Sequence, residues 1–231
     1  MLIGGYQKLT LIDYPGKLAA TVFTVGCNFR CPFCHNPELI SNIKYQISKI
    51  PEKEFFDFLK KRKGKLEGVC ITGGEPTLQP DLIKFIKKIK RQGYLVKLDT
   101  NGSRPDVLKK IIDGKLVDFI AMDIKNYLGR YDETCGVKAD KERVKLSVDL
   151  IKNSRIDYEF RTTAVPGLHK EKDFNDIAQW LAGAKTYYLQ EYREIKILDP
   201  ALKKKTKGKE IDLEKIKKNI EKNFGKVGIR R

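Results

Sequence analysis

Short apolar segments typical of β-strands alternate with amphipathic helical segments along most of this 231-residue sequence. The strand-like segments are residues 17–25, 66–72, 94–98, 116–122, 157–164 and 186–190. Helical spacing of apolar residues marks residues 51–63, 81–91, 105–113, 138–153, 171–182 and 212–224. Such alternation indicates parallel βαβ units, and closing a barrel of eight units takes about 250 residues. The sequence therefore predicts an α/β fold, a partial (β/α)6 barrel, with a flat doubly wound sheet as the alternative.

The whole chain, residues 1–231, is interpreted as one domain with a short N-terminal lead-in and a C-terminal helix. Its core covers residues 17–200, and residues 201–231 form a C-terminal extension. Hydrophobic residues make up 41% of the chain, which is enough for a core of this size. Residues 203–209 are predicted to be a basic loop, because Leu202 ends the apolar pattern.

Cys27, Cys31 and Cys34 lie within eight residues, directly after the first strand of the predicted barrel. The spacing C-x3-C-x2-C lets three thiolates face one metal centre. Four ligands would close a structural site, whereas three leave one position free for chemistry. The alternative is a zinc knuckle with His35 as its fourth ligand. Zinc fingers usually add a second, distant pair of ligands, so the sequence favours a reactive metal centre.

The other two cysteines, Cys70 and Cys135, stand apart from this loop. Cys70 lies in a strand-like segment and is predicted to be buried, while Cys135 is interpreted as structural or incidental. An odd, clustered set of five cysteines does not suit a disulfide framework and fits a reducing compartment. No apolar stretch of about 18 residues and no secretory signal is visible, so we expect a cytoplasmic protein without a membrane span.

The chain carries a formal net charge of +17. One interpretation is binding to nucleic acid or to an acidic partner. The other is a lysine-rich and glutamate-rich surface of the kind found in proteins from hot environments. No basic motif is interleaved with aromatic residues, so the second interpretation is preferred and a nucleic-acid partner is not expected.

Polar residues follow or end every predicted strand, where catalytic groups collect in barrels of this class. These candidates are Gly73, Gly74 and Glu75, then Asp99, Thr100 and Asn101, then Asp123 and Lys125, then Arg161 and Thr163, and finally Gln190 and Tyr192. Ordinary roles compete with functional ones at these positions. The glycines also suit a plain strand-to-helix turn, Asp99 a turn cap, and Lys125 a solvated charge. His169 is expected to be exposed and without a chemical role.

Taken together, five motifs resemble the radical SAM enzymes, named after S-adenosylmethionine (SAM). They are IDYPG at 12–16, GCNFRCPFCHN at 26–36, GGEP at 73–76, DTNG at 99–102 and RTTAVPGLH at 161–169. Within that superfamily they are most similar to the anaerobic ribonucleoside-triphosphate reductase activating proteins, in the branch that activates glycyl radical enzymes. The lead-in segment, with IDYPG at 12–16, differs from the corresponding Asp-Gly-Pro-Gly segment of the pyruvate formate-lyase activators. The sixth strand ends in Gln-Glu-Tyr where those activators carry a histidine.

This resemblance implies a [4Fe–4S] cluster on the three clustered cysteines, with SAM bound at the fourth iron. The resemblance implies that Phe33 packs against the adenine of SAM, with His35 near the adenine edge. It implies that Gly73, Gly74 and Glu75 bind the amino group and that Lys125 and Arg161 lie at the carboxylate or ribose. The remaining implied SAM-binding residues are Thr100, Asn101 and Thr163. Asp99 and Asp123 are implied to contact the cofactor and to hold a monovalent cation next to it.

The leading hypothesis is therefore a radical SAM activase. One electron cleaves SAM, and the resulting 5′-deoxyadenosyl radical removes hydrogen from a backbone glycine of an anaerobic ribonucleotide reductase. A ferredoxin or flavodoxin is the expected electron donor. Two alternatives stay open: a radical SAM enzyme acting on a small molecule, an RNA base or another glycyl radical enzyme, and a non-enzymatic iron–sulfur or zinc binding module.

Overall fold

The computed structural model describes residues 1–40 and 49–231 of the chain. Its centre is one eight-stranded sheet in which the strands lie in the order of the sequence. The strands are β1 (Ile3–Thr10), β2 (Ala19–Thr24), β3 (Gly68–Gly73), β4 (Leu95–Thr100), β5 (Phe119–Asp123), β6 (Asp157–Ala164), β7 (Thr186–Glu191) and β8 (Lys226–Arg230).

The pairing of the strands decides between the two predicted architectures. β1 runs antiparallel to β2, and every later neighbouring pair is parallel. A doubly wound sheet reverses its strand order at a switch point, and this sheet does not, so that alternative is wrong. Among the described residues β1 and β8 do not pair with each other, which leaves the sheet open. The predicted partial barrel is confirmed, with β1 and β8 added at its two edges.

The helices lie between consecutive strands and at the C-terminal end. They are α1 (Glu52–Lys61), α2 (Leu82–Arg91), α3 (Pro105–Asp113), α4 (Tyr131–Cys135), α5 (Lys141–Lys152), α6 (Glu171–Trp180), α7 (Leu202–Thr206) and α8 (Leu213–Ile220). In α2, Leu82, Phe85, Ile86 and Ile89 are buried, and this spacing of three and four residues places them on one face. No helix in the described part of the chain combines the length and the apolar character needed to span a bilayer.

The prediction of a basic loop at residues 203–209 is wrong for residues 203–206, while residues 207–209 lie outside any helix or strand. Residues 202–206 form the short helix α7, in which Leu202 and Thr206 are buried four residues apart. The Thr206 hydroxyl donates to the Glu194 carboxylate at 2.9 Å. Lysine has good helix propensity, so the three intervening lysines stay in solvent while the two buried residues attach the turn to the protein.

Several strands end later in the chain than the sequence pattern predicted. β4 continues through Asp99 and Thr100, and β5 continues through Asp123. Asp123 pairs directly with Arg161 of β6 in the parallel ladder. These side chains are therefore held by regular sheet rather than by loops, which fixes their spacing across the barrel.

Candidate active site

A cavity lies at the carboxyl ends of β2 to β6, where the predicted site residues meet. It holds about 890 Å³ of space, part of it open to solvent. Every predicted cofactor-binding residue except Arg161 lines it: Cys27, Cys31, Phe33, Cys34, His35, Gly73, Gly74, Glu75, Asp99, Thr100, Asn101, Asp123, Lys125 and Thr163. Asn36, whose backbone was expected near the adenine edge, also lines the cavity, as do Phe29, Ile40 and Thr72, which sequence reasoning missed. Their position in the sequence, near the cysteines or the GGEP turn, was the signal that could have identified them as lining residues.

The cysteine loop leaves β2 at Gly26, whose φ of 102° is accessible mainly to glycine. The Cys34 amide donates to the Cys31 carbonyl at 3.0 Å, which closes a tight turn between the second and third cysteines. The Phe29 amide donates to the Cys27 sulfur at 3.4 Å. All three thiols are free and line the same cavity.

The environment of these thiols bears on the metal centre that the sequence predicts. Burial raises the pKa of Cys27 to about 11 and that of Cys31 to about 12, so both are protonated at neutral pH without a bound cation. No three His, Cys, Asp or Glu side chains in the described ranges are close enough to hold a metal ion as they stand. The three thiols around one cavity nevertheless match the thiolate ligands of an iron–sulfur cluster. A cluster is larger than a single ion, so its ligands need not lie as close together. Iron would displace their protons on binding.

The two glycines of the GGEP turn pack against the backbone of the cysteine loop. The Gly74 amide donates to the Thr24 carbonyl at 2.8 Å, and the Glu75 amide donates to the Gly26 carbonyl at 2.7 Å. A Cβ on Gly74 would overlap the Gly26 carbonyl, and Gly73 has a φ of 112°. The sequence predicted an approach of this backbone to a ligand. The structure shows in addition that these glycines join the two loops that border the cavity.

Gly74→Ala is expected to displace the cysteine loop, because the new methyl group occupies the space of the Gly26 carbonyl. Overpacking of this kind costs about 1–3 kcal/mol of folding free energy. Urea unfolding and the iron content after reconstitution measure the two effects. Gly5→Ala is the matched control, since nothing lies within 4 Å of a Cβ at Gly5. Equal iron content and stability in the two variants would contradict the packing role of Gly74.

Glu75 has a fully buried carboxylate that connects the end of β3 to the end of β4. It accepts hydrogen bonds from the Thr77 amide at 3.1 Å, the Thr100 hydroxyl at 2.7 Å and the Asn101 amide at 2.6 Å, and from the Thr77 hydroxyl. Burial raises the pKa of Glu75 even though these donors favour the charged form. Because the carboxylate also lines the cavity, it both supports the loops and faces the predicted ligand.

Asp99 and Asp123 lie in a network of ion pairs on the floor of the cavity. Arg161 bridges them, with Nε 2.8 Å from Asp123 and both terminal nitrogens 3.3 Å from Asp99. Lys97 pairs with Asp99, and Lys125 lies 3.2 Å from Asp123. Burial by itself would raise the pKa of each carboxyl group, but the Arg161 charge and its neighbours outweigh burial and hold both pKa values below the usual range.

Lys125 is not the solvated charge that was one alternative from the sequence. Its side chain is 15% exposed, and Nζ lies 6.0 Å from the centre of the Phe33 ring. Lys97, which sequence reasoning missed, is almost completely buried inside the barrel. The strand period of two residues puts Lys97 and Asp99 on the same face of β4, and this was the signal that could have found it.

His169 is buried, so the prediction that it is exposed is wrong. Its Nδ1 accepts a hydrogen bond from the Val165 amide at 3.1 Å, which leaves the proton on Nε2. Nε2 then donates to the Lys125 carbonyl at 2.8 Å. The imidazole thus joins the loop after β6 to the residue after β5. A turn predicted from Pro-Gly gives no indication of such a contact, since the two ends are 44 residues apart.

The stability of the protein is expected to fall as the pH drops below about 6.5, in part because of His169. Burial lowers the pKa of His169 from its ordinary value of 6.5, so only the unfolded chain takes up a proton between the two pKa values. Stability from this group is complete above pH 6.5 and is lost below it, by up to about 1.4 kcal/mol per pH unit. Urea midpoints between pH 7.5 and 5.5 measure the slope. His169→Gln should reduce this slope; a variant with the same slope as the wild type would contradict the assignment.

His35 lies at the exposed rim of the cavity. Its Nε2 is 2.8 Å from the Arg193 carbonyl, and its ring stacks near Tyr192 with 6.3 Å between ring centres. These contacts hold the imidazole in a fixed place beside the third cysteine. They agree with a positioning role.

Comparisons with known proteins agree on the class of this site. The family model for the radical SAM superfamily matches residues 21–181. A Methanocaldococcus jannaschii protein named as a glycyl-radical enzyme activating enzyme is 35% identical over 234 residues, which cover 99% of this chain and 95% of that protein. The pyruvate formate-lyase-activating enzyme of Clostridium pasteurianum is 33% identical over 133 residues, covering 54% of this chain and 52% of the enzyme.

Among solved structures, Streptococcus suis SuiB bound to S-adenosylmethionine has a TM-score of 0.63 and 15% identity to this chain. The match covers 90% of this chain and 49% of SuiB, so the chain spans about half the length of that protein. At this identity the similarity shows the fold alone.

Proposed function

Since the chain belongs to the radical SAM superfamily and to its glycyl-radical-enzyme activating branch, we propose that it generates a glycyl radical on an anaerobic ribonucleotide reductase. The family uses a [4Fe–4S] cluster and SAM. When bound and reduced, the cluster supplies one electron to the SAM sulfonium, and cleavage gives methionine and a 5′-deoxyadenosyl radical that removes a hydrogen atom from glycine.

The residues of this chain bind and orient the reactants. Cys27, Cys31 and Cys34 would hold the cluster through their thiolates. Glu75, with the carbonyl groups of the GGEP turn, accepts hydrogen bonds from the amino group of SAM. Lys125, which lines the same cavity as the cysteines, faces the SAM carboxylate.

The adenine and ribose bind along the rest of the cavity wall. Phe33 is buried next to the cysteines and offers an aromatic face to the adenine, with His35 at its edge. Thr100, Asn101 and Thr163 provide hydroxyl and amide groups toward the ribose. Arg161 does not line the cavity, and its role is to hold Asp99 and Asp123 in place through two ion pairs.

A protein substrate is supported by the open barrel. β1 and β8 do not pair in the described part of the chain, so one side of the sheet remains without a neighbouring strand. A glycine in a peptide loop needs lateral access of this kind to reach a radical formed inside. The choice of reductase rests on the combined resemblance of the motifs at 12–16, 26–39, 99–102 and 161–169 to the reductase activating proteins.

The test is anaerobic incubation of reconstituted protein with SAM, dithionite and a candidate anaerobic ribonucleotide reductase. A glycyl radical signal in electron spin resonance is expected, together with 5′-deoxyadenosine. A reductase with alanine at the radical glycine is the control and should give no such signal. If SAM is cleaved but only pyruvate formate-lyase acquires the radical, the partner is wrong and the chemistry stands. If no glycyl radical forms on any partner, the small-molecule or RNA-base alternative replaces the activase.

A ferredoxin or flavodoxin remains the proposed source of the electron. These donors are acidic proteins, and a net charge of +17 favours their encounter with this chain. Reduction by either donor should slow as salt is added, which stopped-flow bleaching of the cluster would measure.

A further inference from the structure

The ion-pair network that includes Asp99 and Asp123 contains more positive than negative side chains. Within the described ranges, three carboxylates form ion pairs with four cationic groups. These groups are Asp99, Asp123 and Glu159 on one side, and Lys97, Lys125, Arg161 and Arg230 on the other. A further cation placed among them would meet net repulsion at short range and low dielectric constant.

The carboxylate oxygens that would bind such a cation already have partners. One oxygen of Asp99 pairs with Lys97, and the other lies 3.3 Å from Arg161. One oxygen of Asp123 lies 2.8 Å from Arg161, and the other lies 3.2 Å from Lys125. An alkali ion bound to these oxygens would share each of them with a cationic nitrogen. Repulsion from Lys97, Arg161 and Lys125 would offset its attraction to the two carboxylates. The residues present therefore do not fit the monovalent cation that the family resemblance implied for this pair.

Lys97 is the least expected member of this network. Its side chain is 1% exposed, and its neighbours are the Asp99 carboxylate and the Cys70 sulfur, at 3.8 Å from Nζ. An ammonium group this deeply buried is stable only when a carboxylate compensates its charge. Lys97 reaches Asp99 from the interior of the barrel, on the side away from the cysteines.

We propose that Lys97, together with Arg161, replaces the monovalent cation: the Lys97 ammonium group pairs with Asp99, and the protein needs no alkali ion to fold or to bind SAM. This proposal rests on the proposed function only in taking the cavity as the SAM site. Its main readout, thermal unfolding, requires no SAM cleavage. Failure of either proposal can therefore be recognised without the other.

The first experiment compares the reconstituted wild-type protein in chloride salts of potassium, sodium and choline at equal ionic strength. Thermal unfolding midpoints and SAM affinity by equilibrium dialysis are expected to be the same in all three salts. An alkali-ion site at a hundredfold excess over its dissociation constant would raise the midpoint by roughly 5 °C or more. A rise of that size in potassium or sodium, or a SAM affinity that depends on either ion, overturns the proposal.

The second experiment removes the ammonium group with Lys97→Met. The midpoint in choline chloride is expected to fall by roughly 5–10 °C, because Asp99 loses one of its two cationic partners. Potassium or sodium should recover part of this loss. Lys53→Met is the matched control, since Lys53 is exposed and pairs only with Asp57 among the described residues. A folded Lys97→Met protein that shows no recovery specific to an alkali ion also overturns the proposal; if the variant does not fold, the wild-type comparison decides.

Discussion

Cys31→Ala is expected to reduce 5′-deoxyadenosine production to the uncatalysed background. Cys31 is the most buried of the three loop cysteines, and its side chain lines the same cavity as Cys27 and Cys34. Two thiolates cannot hold a [4Fe–4S] cluster with one open iron, so the variant should lose the group that delivers the electron. Chromatography of 5′-deoxyadenosine after anaerobic reduction measures activity. Iron and sulfide analysis of the same samples measures cluster content.

Cys135→Ala is the matched control for this experiment. Cys135 is also completely buried, but it ends α4 and its sulfur contacts the Val137 carbonyl at 3.3 Å rather than the cavity. This variant should retain the iron content and SAM cleavage of the wild type. If Cys31→Ala still cleaves SAM, or if Cys135→Ala loses the cluster equally, the assignment of the metal site to residues 27–34 fails.

Glu75→Ala is expected to destabilise the protein by about 3 kcal/mol and to weaken SAM binding as well. The substitution leaves the buried Thr77 and Asn101 amides without an acceptor, at about 1–3 kcal/mol for each unsatisfied group. For a chain of this length the loss corresponds to a fall of roughly 6–12 °C in the thermal midpoint. Calorimetry measures the stability, and equilibrium dialysis with SAM measures the binding.

Glu75→Gln separates the two roles of this residue. The amide keeps the shape and one acceptor oxygen, so it should recover most of the stability that alanine loses. It has no negative charge for the ammonium group of SAM, and binding should remain weak. Glu142→Ala, at an exposed site of α5, should change the stability by less than about 0.5 kcal/mol. If Glu75→Gln binds SAM as well as the wild type, the carboxylate does not bind the amino group.

The sequence predicted much of this fold because its signals are local. Apolar spacing marks each strand and helix, and parallel strands bring their carboxyl ends to one edge whatever the details of packing. For that reason the cysteine loop, the GGEP turn, Asp99 and Asp123 could be placed around one cavity before any contact was known. The same reasoning failed at α7, where two buried residues outweigh a run of lysines.

The order of the strands was left open between two architectures, and only the tertiary structure decided it. The strand and helix segments, the position of the three cysteines and the residues at the rim follow from the sequence, because they depend on short-range patterns and on the direction of parallel strands. The partners of individual side chains do not. Arg161 bridges Asp99 and Asp123, His169 binds the Lys125 carbonyl, and Gly74 contacts Gly26 only because distant segments meet in the folded barrel. Such contacts depend on the register of neighbouring strands and on which polar groups burial leaves without water, and no local pattern encodes either.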